Sequence, residues 1–160
     1  MILIEENFLS DQDCDNIKKI AIESYNKSEA FRDIHVLEII KANYDLSKKL
    51  GFVYSNYLGT KNIVAFPELL QFTYWTPNSF QDLHFDVTRD STNLTSITYL
   101  NDDYEGGETY FENDVVVKPK KGKVVFFDGK KYKHGVSKIT QGNRYVCAFW
   151  YTNNISKLNC

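Results

Sequence analysis

The spacing of apolar side chains changes partway along this chain. Before about residue 60 they recur at helical intervals; beyond it they come in short runs cut by turn residues. Ser10-Asp11-Gln12-Asp13 reads as a helix start, with Ser10 as cap and an acidic residue three positions on, ahead of Ile17, Ile20 and Ala21. This predicts a first helix over about 11–26. Val36, Leu37, Ile40, Tyr44 and Leu50 predict a second over about 36–50, stopped by Gly51. From about residue 62, runs near 69–75, 82–87, 94–100, 107–111, 114–117, 123–127, 134–138 and 144–152 read as strands. Turn residues such as Glu105-Gly106-Gly107, Asp128-Gly129 and Gln141-Gly142-Asn143 separate them. Eight short strands in two sheets make a jelly roll. The expectation is therefore a single α+β domain over 1–160, mainly β. Its catalytic core would be a double-stranded β-helix (jelly roll) over 62–152, and the N-terminal helices of 1–60 would pack on the major sheet.

Strand parity adds detail to the last run. Arg144, Val146, Ala148 and Trp150 share one face, and Tyr145, Cys147, Phe149 and Tyr151 the other. Both faces are apolar, as in a strand covered on both sides.

Composition narrows the setting. Hydrophobic residues at 42% leave no case for disorder. No apolar run reaches the roughly 18 residues of a membrane span, and the first residues lack the basic and apolar regions of a leader, so a cytoplasmic protein without a membrane partner is expected. A net charge of −2 gives no bulk attraction for nucleic acid, and no nucleic-acid partner is expected. Cys14, Cys147 and Cys160 are odd in number and lack C-x-x-C spacing, which reads as free thiols in a reducing compartment. Lys118, Lys120, Lys121, Lys123, Lys130, Lys131, Lys133 and Lys138 cluster around the approach to His134. They read either as solvated hairpin edges or as a basic rim for an acidic substrate.

Chemistry concentrates in the β half. On a strand, His84 and Asp86 lie two apart and point to the same face, with Phe85 behind them. His134, fifty residues on, would supply a third corner from a distant strand. Two histidines and a carboxylate form the facial triad that holds Fe(II) and leaves positions open for a co-substrate and oxygen. Arg144 sharpens this reading. It is one of three arginines against sixteen lysines, and it opens an apolar strand. A guanidinium there needs an anion, either an internal carboxylate or a bidentate dicarboxylate ligand.

At this point the chain resembles the prolyl 4-hydroxylase-like branch of the Fe(II)- and 2-oxoglutarate-dependent dioxygenases. The resemblance runs through Glu6-Asn-Phe-Leu-Ser-Asp-Gln-Asp-Cys14, Tyr74 ahead of His84-Phe-Asp86, Tyr99-Leu-Asn-Asp with Glu105-Gly-Gly-Glu-Thr109, Pro119-Lys-Lys-Gly122, His134-Gly-Val, and Gly142-Asn-Arg144-Tyr with Trp150. It implies that His84, Asp86 and His134 hold iron and that Arg144 binds the distal carboxylate of 2-oxoglutarate. Tyr74 and Thr109 would hydrogen-bond the co-substrate, and Trp150 would line the substrate pocket. It further implies oxidative decarboxylation of 2-oxoglutarate by O2 to succinate and CO2, coupled to hydroxylation, with ascorbate as an accompanying factor. Asp86 favours hydroxylation, because the related halogenases replace this ligand by a small residue.

The chain departs from the family pattern in two places. The stretch from Tyr74 to Leu83 is one residue longer and lacks the usual Gly, and Ser91-Thr92-Asn93 stands where peptidyl-proline members carry an Arg. A prolyl residue in a peptide or protein is the expected target. The alternatives are a free amino acid or other small molecule, and a metal-binding jelly roll without turnover. Selectivity is expected in loops near 52–62 and 87–94, and His35 is expected to be a bystander beside the second helix.

Overall fold

The first helix begins where its cap predicts. In the computed structural model of the chain, which describes residues 1–24, 30–31, 34–38, 44–86, 92–154 and 156, strand β1 (Ile2–Glu5) precedes helix α1 (Asp11–Ser24). Ser10 Oγ accepts from the Asp13 amide at 3.1 Å and donates to the Asp13 carboxylate at 2.6 Å. One of the unpaired amides of the first turn is thereby satisfied. Cys14, Ile17 and Ala21 form the buried stripe of α1.

The second expected helix is displaced. Residues Ile34–Glu38 form strand β3, paired with the two-residue β2 (Ala30–Phe31) on one side and with β4 (Phe66–Trp75) on the other. Helix α2 runs over Tyr44–Thr60. A short apolar run such as Val36-Leu37 fits either period, and here pairing with β4 decides. His35 therefore falls on β3 rather than beside a helix. Gly51 is no stop but lies inside α2, where a Cβ would stand 3.3 Å from Pro67 Cγ, so it lets the helix approach β4 closely. The true end is marked by Asn62 at φ 59° and by the Ile63 amide donating to the Leu58 carbonyl, a left-handed helix stop.

The remaining strands are β5 (Gln81–His84), β6 (Thr92–Tyr99), β7 (Thr109–Phe111), β8 (Val116–Val117), β9 (Val124–Phe127), β10 (His134–Val136) and β11 (Arg144–Thr152). They form a seven-stranded sheet ordered β1-β9-β6-β11-β4-β3-β2 and a four-stranded sheet ordered β5-β10-β7-β8, all of it antiparallel. Among the described residues, the architecture is a mainly β jelly roll with two helices on the larger sheet.

Parity divides the molecule into two apolar layers, as the last strand predicts. On one face of the large sheet Leu70, Phe72, Leu94, Phe126, Cys147, Phe149 and Tyr151 pack against Ile17, Leu50, Tyr54 and Leu58 of the helices. On the other face Ile97, Tyr99, Val125, Phe127 and Val146 meet Phe111 and Val117 of the small sheet. Cys14 and Cys147 are buried free thiols; burial raises Cys14 to about 11 and Cys147 further. Cys160 lies outside the described residues. Part of the lysine cluster holds the N-terminal segment down: Lys123 and Lys120 pair with Glu6 at 3.0 and 3.6 Å, and Lys121 with Asp15 at 2.7 Å. Among the described residues, no helix is long and apolar enough to cross a membrane.

The loops expected to carry selectivity fall differently. Residues 52–60 belong to α2, on the far side of the large sheet from the site described next. Residues 87–91 lie outside the described residues, and Thr92 already opens β6.

Candidate metal centre

His84 ends β5, and antiparallel pairing sets it opposite His134, the first residue of β10. Their rings lie 4.3 Å apart. Asp86 follows two residues after His84, its backbone fixed by its amide donating to the Gly129 carbonyl at 2.9 Å. One carboxylate oxygen, Oδ1, faces His84 Nε2 at 3.4 Å and His134 Nε2 at 3.8 Å. The three ligand atoms lie within 4.8 Å of one another. The triad read from the sequence is thus brought together.

The donor set suits a divalent transition metal. His84 Nδ1 donates to the Asp82 carbonyl at 2.9 Å, which leaves Nε2 with a free lone pair toward the centre. Asp86 is 7% exposed and His134 is 4% exposed, so both carry their polar atoms into the interior. His134 Nδ1 has no partner at hydrogen-bond geometry, although the Tyr132 carbonyl lies near enough to favour its protonated form. Burial and the neighbouring His84 outweigh the Asp86 charge and depress His134 to about 4. For His84 burial also pulls downward, but the hydrogen bond to Asp86 and the Asp82 carbonyl win, and its pKa rises. Burial would raise the Asp86 carboxyl, yet the two histidines hold it below its ordinary value.

Arg144 opens β11 on the same inner face and is 1% exposed. Its Nε donates to the Gly107 carbonyl at 3.2 Å, and an Nη reaches Thr109 Oγ1 at 3.4 Å. The guanidinium lies over the Trp75 ring at 4.9 Å and the Tyr99 ring at 5.4 Å. Among the described residues no carboxylate comes within ion-pair distance of it, so the internal salt bridge is not the answer to its charge. Asn101 secures the backbone on either side, accepting from the Tyr145 amide at 2.9 Å and donating to the Asn143 carbonyl at 2.8 Å. Gly107, at φ 69°, leaves room that a Cβ would take from the Arg144 side chain, 3.1 Å away.

A pocket of about 110 Å³ joins these groups, lined by His84, Asp86, His134, Arg144, Thr95 and Trp150 among others. Thr109 lies under the guanidinium and also accepts from Tyr99 OH at 2.6 Å. Trp150 lines the pocket with its indole N–H unpartnered. Tyr74 is not there. On β4, Thr73 and Trp75 take the inner face, and Tyr74 turns to the helix side, stacked on Tyr145 at 5.0 Å with the planes 8° apart. The co-substrate contact expected of Tyr74 is therefore corrected: strand parity turns it outward and puts the neighbouring Trp75 on the site side. Trp75, Tyr99, Thr95 and Gly129 border the site although the sequence alone assigned none of them a role there. Parity with Ile97 would have turned Tyr99 and Thr95 inward.

The sequence pattern of the 2OG-Fe(II) oxygenase superfamily matches residues 70–152, just over half of the chain. Prolyl 4-hydroxylase 1 of Arabidopsis thaliana is 28% identical over 192 residues, covering 93% of this chain and 68% of that protein. Prolyl 3-hydroxylase 2 of Rattus norvegicus is 40% identical over 65 residues, covering 36% of this chain, and the match spans only 9% of that protein's length. Among solved structures, the viral collagen prolyl hydroxylase of Paramecium bursaria Chlorella virus 1, in its 2OG complex, superposes with a TM-score of 0.78 at 22% identity, over 94% of each chain. That last likeness shows the fold.

Proposed function

We propose, since the chain belongs to the 2OG-Fe(II) oxygenase superfamily, that it hydroxylates a prolyl residue of a peptide or protein while consuming O2 and 2-oxoglutarate and releasing succinate and CO2. The observation that carries this reading is the buried Arg144 guanidinium without a carboxylate partner among the described residues, on the pocket that holds the His84, Asp86 and His134 cluster. Unpaired burial of such a charge is costly, and a bound dicarboxylate removes the cost.

His84, Asp86 and His134 would hold Fe(II), which together with bound 2-oxoglutarate supplies the activation of O2. The residues of this chain set the stage around it. Arg144 would take the distal carboxylate through its fork, and Thr109 and Tyr99 hold that fork in place. Trp75 and Tyr99 pack their rings over the guanidinium. Trp150 would stand at the pocket wall beside the co-substrate or the target side chain. Two of the relatives named above bear prolyl hydroxylase names, which supports proline in a polypeptide as the target over a free amino acid.

The test is incubation with Fe(II), 2-oxoglutarate and ascorbate in the presence of proline-containing peptides, followed by mass spectrometry and succinate measurement. One added oxygen atom on a prolyl residue, with matching succinate, is expected. Oxygen on a free amino acid alone would move the target to the small-molecule alternative. No 2-oxoglutarate binding and no stimulated succinate with any substrate would sink the enzyme reading altogether.

A further inference from the structure

Thr95 lies on β6, flanked in register by Phe127 of β9 and Trp150 of β11, in the middle of the wall behind the metal centre. It is 0% exposed, and its hydroxyl oxygen has no partner at hydrogen-bond geometry. A buried hydroxyl left unpaired costs free energy, so a group beside it that needs a donor is its natural partner. That group is the Asp86 carboxylate. A Cβ built on Gly129 would stand 2.6 Å from Thr95 Oγ1 and 2.7 Å from Asp86 Cβ, so the two side chains converge on the gap that this glycine leaves open.

Asp86 also has a need that the histidines cannot meet once a metal is bound. Oδ1 faces Nε2 of both rings. When those nitrogens turn their lone pairs to a metal they no longer donate to Asp86, and a buried carboxylate is an acceptor only. Its amide is already committed to Gly129, which fixes the backbone but offers the carboxylate nothing. The Thr95 hydroxyl, whose proton is free to rotate, is then the donor at hand.

We infer that Thr95 is a positioning residue for the metal centre: its hydroxyl donates to the outer oxygen of Asp86, Oδ2, and so keeps Oδ1 aimed at the metal, with Gly129 leaving the space for this contact. The inference rests on His84, Asp86 and His134 being metal ligands, and not on what the protein hydroxylates. Partners that orient a metal-ligating group in this way typically change metal affinity by about 10- to 100-fold when removed.

The test measures Co(II) affinity by calorimetry and by the visible absorption of the bound ion, without co-substrate. Thr95→Val keeps the shape and removes the hydroxyl, and it is expected to weaken Co(II) binding about 10- to 100-fold while the melting temperature of the metal-free protein holds or rises. Thr95→Ser restores the hydroxyl and is expected to return affinity to within about threefold of the unaltered protein. Gly129→Ala, which wedges the two side chains apart, should weaken binding in the same direction. Unchanged affinity in Thr95→Val, or a Thr95→Ser variant as weak as Thr95→Val, overturns the inference. His84→Ala separates the two levels: if it too binds Co(II) normally, the metal assignment itself fails.

Discussion

The two histidines of the site carry opposite electrostatic burdens. His134 is depressed to about 4, first by burial, whereas the Asp86 and Asp82 contacts raise His84 above its ordinary value despite burial. A metal ligand must be neutral, so the proton that competes with metal near neutral pH is the one on His84. Affinity should therefore fall as pH drops below the raised His84 pKa, by about tenfold per pH unit, one proton per ion. Only near pH 4 should His134 add a second proton. Co(II) titrations across this range check the slope, and a slope of two throughout would mean that both rings protonate together. Arg144 gives a separate residue-level prediction. A contact between its guanidinium and a bound carboxylate would be charge-assisted, worth about 1.5–3 kcal/mol, so Arg144→Ala should weaken 2-oxoglutarate binding roughly 10- to 100-fold. Co(II) affinity should stay as it was, since Arg144 holds none of the three ligands.

At the level of elements, the strands beyond residue 62 were legible, whereas β1, β2, β3 and the second helix were not. Short apolar runs cut by turn residues marked the β half, because its strands have one face on the helices and the other on the small sheet, and both faces kept their apolar residues. The stretch around Val36 misled because a short apolar run does not choose between periods until β4 offers it a partner. Gly51 looked like a stop because nothing in the sequence reveals Pro67 pressing against it. The two glycines of α2 consequently differ. Gly59 has nothing within 4 Å of a would-be Cβ, so Gly59→Ala should stabilise the protein by about 0.5–1 kcal/mol through helix propensity and a stiffer unfolded chain. Gly51→Leu should cost about 1–3 kcal/mol, because the added side chain drives α2 off β4. Urea unfolding of both variants distinguishes them, and equal shifts would mean that α2 does not rest on Pro67.

Across the whole molecule, the large sheet separates the helix-side core from the pocket that holds the His84, Asp86 and His134 cluster. The triad and Arg144 were legible because their residue types are few and their spacing is characteristic. The supporting residues Trp75, Tyr99, Thr95 and Gly129 were not, because only packing between the two sheets shows which ordinary side chains border the site. Neighbouring residues on β11 put the partition to a direct test. Phe149 is buried among Tyr54, Leu58 and Phe72 on the helix side, whereas Trp150, one position on, lines the pocket. Phe149→Ala should cost about 3–5 kcal/mol, yet leave Co(II) affinity unchanged at temperatures where the variant is folded. Trp150→Phe keeps much of the ring's packing and, with part of the fused ring, deletes an indole N–H that has no partner. It should cost little stability, and it should change the KM for peptide or 2-oxoglutarate by removing a donor that only a bound ligand can use. Chemical denaturation and steady-state kinetics on the pair give both readings. If Phe149→Ala lowers metal affinity in the folded state, or if Trp150→Phe unfolds the protein without touching either KM, the two faces of the sheet are not separate in function.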